Sequence, residues 1–215
     1  MQKGGLRCTL FSGSLLAEIY LREVFMMDVD QAAKIIRTGG VIAYPTEAVW
    51  GLGCDPWNRQ AVYRILAIKQ RQVEKGVILV GVSEDQFAPL LKPLSATERA
   101  RLKSTWPGPY TWLIPDPAGW TPDWVRGQFD TVAVRITAHP LVKKMCEATG
   151  HPIVSTSANL AGKDPLLTFC DVEEEFGSLL DGIVPGETGG QKTPSKIQDL
   201  RSGKLVRAGQ EAVRE

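Results

Sequence analysis

Apolar positions along this chain alternate between helical spacing and short continuous runs, and the alternation predicts helices and strands in turn. After Asp28, Val29, Ala32, Ala33, Ile35 and Ile36 fall at helical spacing, and Gly39-Gly40 supplies a stop. Val41 to Tyr44 then reads as a short buried strand closed by Pro45. Asn58 is placed to cap a helix with an apolar face of Ala61, Val62, Ile65 and Leu66, whose end delivers Lys69 and Arg71. Val77 to Val80 is a second strand, and Ser83-x-x-Gln86 has the form of a capping box opening another helix. Tyr110 to Ile114 and Thr131 to Ile136 are further strands. Pro140 to Thr149 is a helix with proline in its first turn and Gly150 past its end. Ile153-Val154, Ile183-Val184 and Lys204 to Val206 add strands, and Pro194-Ser195-Lys196-Ile197 reads as a turn into one. With no repeat, low-complexity tract or linker in between, the pattern predicts a single α/β domain.

Composition changes this picture little. A length of 215 residues fits one domain with a sizeable core. A net charge of +1 creates no global field toward nucleic acid or an acidic membrane, so any basic surface must be local. The four cysteines (Cys8, Cys54, Cys146, Cys170) contain no Cys-x-x-Cys, and there are two histidines. That spacing argues against structural zinc and gives no sign of a disulfide framework, so a reduced cytoplasmic protein is the plain reading. In residues 1–26, Lys3 and Arg7 precede Leu10-Phe11 and Leu15-Leu16-Ala17, a faint echo of a signal peptide. Glu18 and Arg22-Glu23 interrupt any apolar run, no small-residue cleavage site follows, and the stretch is too polar to span a bilayer. We expect an extension, or an upstream start wrongly chosen, that carries no function.

The candidate chemistry lies in two distant segments. Ser155-Thr156-Ser157-Ala158-Asn159 offers small hydroxyls and an amide after an apolar run, and Lys69-Gln70-Arg71 offers two cations two residues apart. Hydroxyls and amides at a strand end, facing long cations, make an anion-binding surface without a metal cage or a nucleophilic cysteine. Around them stand Tyr44-Pro45-Thr46-Glu47-Ala48-Val49-Trp50-Gly51-Leu52-Gly53, Trp106-Pro107-Gly108-Pro109, Phe129 to Arg135, Pro185-Gly186-Glu187-Thr188-Gly189-Gly190, Pro194-Ser195-Lys196-Ile197 and Leu205-Val206-Arg207-Ala208-Gly209.

In this order the blocks closely resemble the TsaC/YrdC family of threonylcarbamoyl-AMP synthases, from about Met27 to Gly209. The resemblance implies a YrdC-like catalytic domain over 27–209, with a tail at 210–215. Its fold would be a twisted, open mixed sheet flanked by helices, with a concave basic groove. It also implies a nucleotidyltransferase that joins L-threonine, bicarbonate and ATP into threonylcarbamoyl-AMP and pyrophosphate. Partner proteins then use that product to modify a tRNA adenosine beside the anticodon, and the enzyme itself makes at most weak contact with tRNA. Such chemistry handles oxyanions, so it needs charge neutralisation and alignment more than a covalent nucleophile. Magnesium is expected to come with ATP, since no carboxylate pair announces a dedicated site.

Residue by residue, the resemblance places Lys69 and Arg71 on the ATP phosphates and the carbonate-derived group as the catalytic cations. Thr46 follows a strand ending at Pro45, where open sheets bind ligands, and the resemblance assigns it to L-threonine with Arg135, Ser155 and Ser195. Arg135 ends the apolar run Val132-Ala133-Val134, where an arginine is costly unless it meets an anion; a structural salt bridge is the other reading. Thr131, Ser157, Asn159 and Arg207 are assigned to ATP. Gly51 and Gly53 would admit a close backbone approach or positive φ, and Trp50 reads as a core or pocket-wall aromatic. His139 precedes a helix and reads as a capping or packing residue rather than a base.

Gly186 to Thr193 imitates a phosphate-binding P-loop, but Gln191 replaces the second glycine and a strand rather than a helix should follow. Two rival readings exist. A double-stranded-RNA-binding protein without catalysis could use a concave basic face, but the near-neutral charge and lack of an RNA-binding signature oppose it. A carbamoyl-transfer module of a larger enzyme would carry zinc-finger cysteines that this chain lacks.

Overall fold

Side-chain caps set where the helices begin. Asp28 opens α1 (Val29–Arg37): its carboxylate accepts from the Gln31 amide nitrogen at 2.8 Å, while the Gln31 side chain accepts from the Asp28 N–H at 2.9 Å. Asn58 opens α2 (Arg59–Ile68) by accepting from the Ala61 N–H at 3.0 Å. Further along lie α3 (Ala88–Leu91), α4 (Ala96–Lys103), α5 (Asp123–Arg126), α6 (Pro140–Thr149) and α7 (Phe169–Phe176). α6 has proline in its first turn and ends on Gly150 in the left-handed region at φ 80°. The computed structural model describes residues 27–191 and 193–207; the extension read at 1–26, Ala208-Gly209 and the tail lie outside them.

One capping prediction fails. Ser83 makes no cap, and residues 84–87 form only a 3₁₀ turn. Gln86 instead accepts from the Val82 N–H at 2.9 Å and donates to the Cys146 carbonyl at 2.9 Å, so a tertiary tie to α6 takes the side chain a box would need. The box forms at Ser95 and Glu98, opening α4.

The strands are β1 (Ile42–Pro45), β2 (Trp50–Gly53), β3 (Ile78–Gly81), β4 (Tyr110–Pro115), β5 (Thr131–Ile136), β6 (Ile153–Ser157), β7 (Gly182–Ile183), β8 (Lys196–Asp199) and β9 (Leu205–Arg207). They form one mixed sheet in the order β7-β1-β2-β6-β3-β5-β4-β8-β9. β1/β7, β3/β5 and β4/β8 are parallel; the other neighbours are antiparallel. The expected open mixed sheet flanked by helices is therefore observed.

The period of two sorts side chains onto two faces. Val41, Ala43, Leu79, Val132, Val134 and Val154 join the core that also takes Ala61, Val62, Ile65 and Leu66 of α2. Ile42, Tyr44, Val80 and Ile153 join the core under α1 and α6, with Ala32, Ile36, Val142 and Met145. Cys54 and Cys146 are buried free thiols, and burial pushes both up, Cys146 to about 12. Cys170 is not free. Among the described residues, no helix is long and apolar enough to cross a membrane.

Candidate active site

The β1/β2 register pairs Pro45 with Trp50, so Thr46 to Val49 is the tight connection between two strands. The Thr46 N–H and hydroxyl both donate to the Val49 carbonyl, at 3.0 and 2.7 Å, which pins the turn and leaves the hydroxyl oxygen free to accept. β6 runs three residues beyond the apolar pair Ile153-Val154, because Leu52 and Gly51 of β2 pair with Thr156 and Ser157. Tertiary pairing thus draws a hydroxyl-rich segment into the sheet.

Register also builds the floor of the site. Ser155 lies opposite Ile78, Ile78 beside Ala133, and Ala133 opposite Leu113, a cross-strand row on one face. Thr131, Ala133 and Arg135 alternate with buried Val132 and Val134 along β5 and so share that face. Here the sheet floors a cavity of about 490 Å³. Thr46, Lys69, Arg71, Thr131, Arg135, Ser155, Ser157, Asn159, Ser195 and Arg207 all line it, so every candidate read from the sequence converges on one volume. Lys75 and Arg126 line it as well and were not singled out in the sequence; Phe129 and Gln191, named there within motifs but given no site role, also line it.

Lys69 is 3% exposed, and its ammonium donates to the Ser157 carbonyl, to the Asn159 carbonyl at 2.8 Å and to Asn159 Oδ1 at 3.1 Å. It therefore braces the end of β6 from below. Burial first, and the charge of Arg71 second, lower its pKa to about 8. Ser157 donates to Asn159 Oδ1 at 2.6 Å, and the Asn159 amide ties to the Leu160 and Lys163 carbonyls at 2.9 and 2.7 Å. Arg71 is held by the Gly76 carbonyl, at 3.3 Å from Nε and 3.0 Å from Nη2, and by the Lys75 carbonyl. Its Nη1 makes no hydrogen bond among the described residues, and the side chain lines the cavity.

On the far wall, Arg207 of β9 donates to the Ser195 carbonyl at 3.2 and 2.8 Å and to Ser195 Oγ at 3.2 Å. Ser195 Oγ also bonds the buried Thr111 hydroxyl at 2.8 Å. Although Arg207 as a whole is exposed, desolvation lowers its pKa, and the charges of Arg135 and Arg71 lower it further. Arg207 thus feels both other guanidinium groups lining the cavity, a field suited to a polyanion.

Arg135 is 7% exposed and forms an ion pair with Glu47 at 3.4 Å. The salt-bridge reading and the cavity-lining reading of this arginine hold together. The sequence reading named Glu47 within a motif but gave it no role; the available signal was an acid directly after a strand-ending Pro-Thr, in a chain with an arginine inside an apolar strand. Trp50 is 1% exposed and packs edge-on to Phe169 at 5.9 Å, a pocket-wall aromatic. Gly51 and Gly53 do not adopt positive φ. A Cβ on Gly53 would sit 2.6 Å from the Tyr44 ring, so that glycine serves packing, while Gly51 lines the cavity. His139 makes no cap; its Nε2 lies 3.3 Å from the Glu187 carbonyl.

The P-loop imitation is a strap over the Thr46 turn. Gly189 and Gln191 donate backbone N–H groups to the Thr46 and Glu47 carbonyls at 2.9 and 3.0 Å, and residues 193–195 lead into β8 rather than a helix. Lys192 lies outside the described residues. Among those described, no cluster of three or more His, Cys, Asp or Glu could hold a metal ion.

A family model for Sua5/YciO/YrdC, described as telomere recombination, matches residues 34–209. A threonylcarbamoyl-AMP synthase of Stutzerimonas stutzeri is 52% identical over 179 residues, covering 83% of this chain and 96% of that protein. One from Nitrosococcus oceani is 53% identical over 176 residues, covering 82% and 95%. Among solved structures, P. abyssi Sua5 complexed with L-threonine superposes with a TM-score of 0.77 at 33% identity, over 84% of this chain. This chain spans 54% of that longer protein. E. coli YciO superposes with a TM-score of 0.75 at 25% identity, covering 84% of this chain and 88% of its own. Motif order, sheet topology and these likenesses agree, and the chain belongs to the Sua5/YciO/YrdC family.

Proposed function

We propose that this protein is a nucleotidyltransferase that forms L-threonylcarbamoyl-AMP and pyrophosphate from L-threonine, bicarbonate and ATP, in the cytoplasm, within a catalytic domain spanning 27–209. The observation that carries the reading is the convergence of three guanidinium groups and the Ser155–Asn159 segment on one cavity, in a chain about half identical to synthases of that name. In the reaction the threonine amine attacks the carbonate carbon and water leaves, giving an N-carboxy amino acid. A carboxy oxygen then attacks the α-phosphorus, and pyrophosphate departs. Each stage gathers oxyanions, so charge stabilisation and alignment supply the catalysis.

In this reading Arg71 and Arg207 neutralise the phosphates, while Lys69 holds Ser157 and Asn159 as polar partners for phosphate or ribose, with Thr131 on the nucleotide side. Arg135 receives the threonine carboxylate, and Thr46, Ser155 and Ser195 surround the rest of the amino acid. Magnesium would arrive on the ATP phosphates, because the acid lining the cavity, Glu47, is already paired with Arg135. The product would pass to the proteins that place the threonylcarbamoyl group on tRNA. The test is pyrophosphate release with each substrate omitted in turn. Release should require threonine, bicarbonate and ATP together, and Arg71→Ala should cut it on the order of a hundredfold with the melting temperature kept. Release independent of threonine, or an undiminished Arg71→Ala rate, would overturn the assignment.

A further inference from the structure

We infer that Glu47 is a positioning residue for the amino-acid end of the site, fixing Arg135 and reserving its guanidinium for an α-carboxylate against inorganic anions. The inference deepens the proposed function, because it rests on Arg135 as the carboxylate partner. It starts from an anomaly of charge. Lys69, Arg71, Lys75, Arg126, Arg135 and Arg207 line the cavity, and among the described residues Glu47 is its single acid. A carboxylate there weakens the attraction for anions that the other groups create, so it must act on something nearer.

Four distances give the direction of the effect. Thr137, which is fully buried, donates its hydroxyl to Glu47 Oε1 at 2.6 Å. Thr137 is itself placed by its own N–H to the Gly81 carbonyl at 3.0 Å and by the His139 N–H at 3.1 Å. Glu47 Oε2 then lies 3.4 Å from Arg135 Nη2, and among the described residues neither Oε2 nor Arg135 Nε has a hydrogen-bond partner. Glu47 is thus anchored on Thr137, and Arg135 is oriented by Glu47 through charge without its donors being consumed. Burial pushes the Glu47 carboxyl up, but the charge of Arg135 and the Thr137 hydrogen bond outweigh it and hold the group below its ordinary value. It therefore stays ionised at neutral pH, and an incoming anion must compete with a fixed negative charge. A bidentate carboxylate that is also held through the rest of an amino acid can do so; a small inorganic anion has no such second hold.

The test compares Glu47→Gln, Thr137→Val and Thr137→Ser with the parent in steady-state pyrophosphate release, alongside melting temperatures and threonine binding by calorimetry. Glu47→Gln should raise the KM for threonine at least about tenfold and that for ATP less than about twofold. It should also make inorganic phosphate a competitive inhibitor against threonine. Thr137→Val should shift the threonine KM the same way by a few-fold, and Thr137→Ser should behave as the parent. A folded Glu47→Gln protein with parental threonine KM and no new phosphate inhibition overturns the inference, as do threonine and ATP constants that rise together. If Glu47→Gln does not fold, an unchanged threonine KM in Thr137→Val overturns it. Should the parent release pyrophosphate without threonine, the proposed function falls, while threonine affinity measured on the same variants still decides whether the relay acts.

Discussion

Lys69 carries both a structural and an electrostatic load on one side chain. Its three acceptors all belong to Ser157 and Asn159, so removing it would loosen the polar end of β6 as well as subtract a charge. Burial lowers its pKa from 10.5 to about 8. Between those values the unfolded chain keeps a proton that the native state has lost, so this group's contribution to stability rises with pH across that window. Function runs the other way, since losing the proton removes the charge and one N–H donor. We expect kcat/KM for ATP, at saturating threonine, to fall above about pH 8, the free-enzyme value. Lys69→Arg should move that limb to higher pH. A parental profile flat to pH 10 would show that the Lys69 proton is not required.

At the scale of elements, the end of α2 decides where the two sequence cations point. The Gln70 N–H bonds the Ala67 carbonyl at 3.0 Å and the Arg71 N–H bonds the Leu66 carbonyl at 2.9 Å, a Schellman closure with Gln70 left-handed at φ 50°. This reversal lets Lys69 and Arg71 line the same cavity on either side of the turn. A left-handed non-glycine residue is strained by about 1–2 kcal/mol, and glycine's extra unfolded-state entropy takes back about 0.4–1 kcal/mol. Gln70→Gly should therefore stabilise the protein by about 0.5–1 kcal/mol in urea unfolding, and Gln70→Val should destabilise it. A destabilised Gln70→Gly would show that the glutamine side chain contributes contacts that outweigh the strain. The helix end and its cations were legible in the sequence from Asn58 and the apolar face. The reversal was not, because glutamine does not signal left-handed backbone.

At the scale of the whole molecule, the cavity joins groups that are far apart in sequence, from Thr46 at the β1/β2 turn to Arg207 on an exposed edge strand. A ligand that bridges them should stabilise the fold by mass action, by about 2.7 kcal/mol at a hundred times its Kd. We expect ATP to raise the melting temperature of the parent in a concentration-dependent way. Arg207→Ala should keep the unliganded melting temperature, because β9 buries no core residue, and should lose most of the ATP-induced shift. An undiminished shift would place the nucleotide away from β9.

Local chemistry alone determined the capped starts of α1 and α2, the left-handed stop after α6 and the buried strands at β1, β3, β4 and β5. Each of these depends on a periodicity or a cap within a few residues. The same pattern misplaced a capping box at Ser83, because Ser83-x-x-Gln86 and Ser95-x-x-Glu98 look alike until Cys146 of α6 claims Gln86. β2 was passed over because Trp50-Gly51-Leu52-Gly53 is half glycine, and only its pairing with β1 and β6 makes it a strand. The candidate residues were readable as separate motifs. Their convergence on one cavity, the Lys69 brace and the Thr137–Glu47–Arg135 relay were decided by the tertiary structure, since sheet register and long-range pairing set distances that no local spacing encodes.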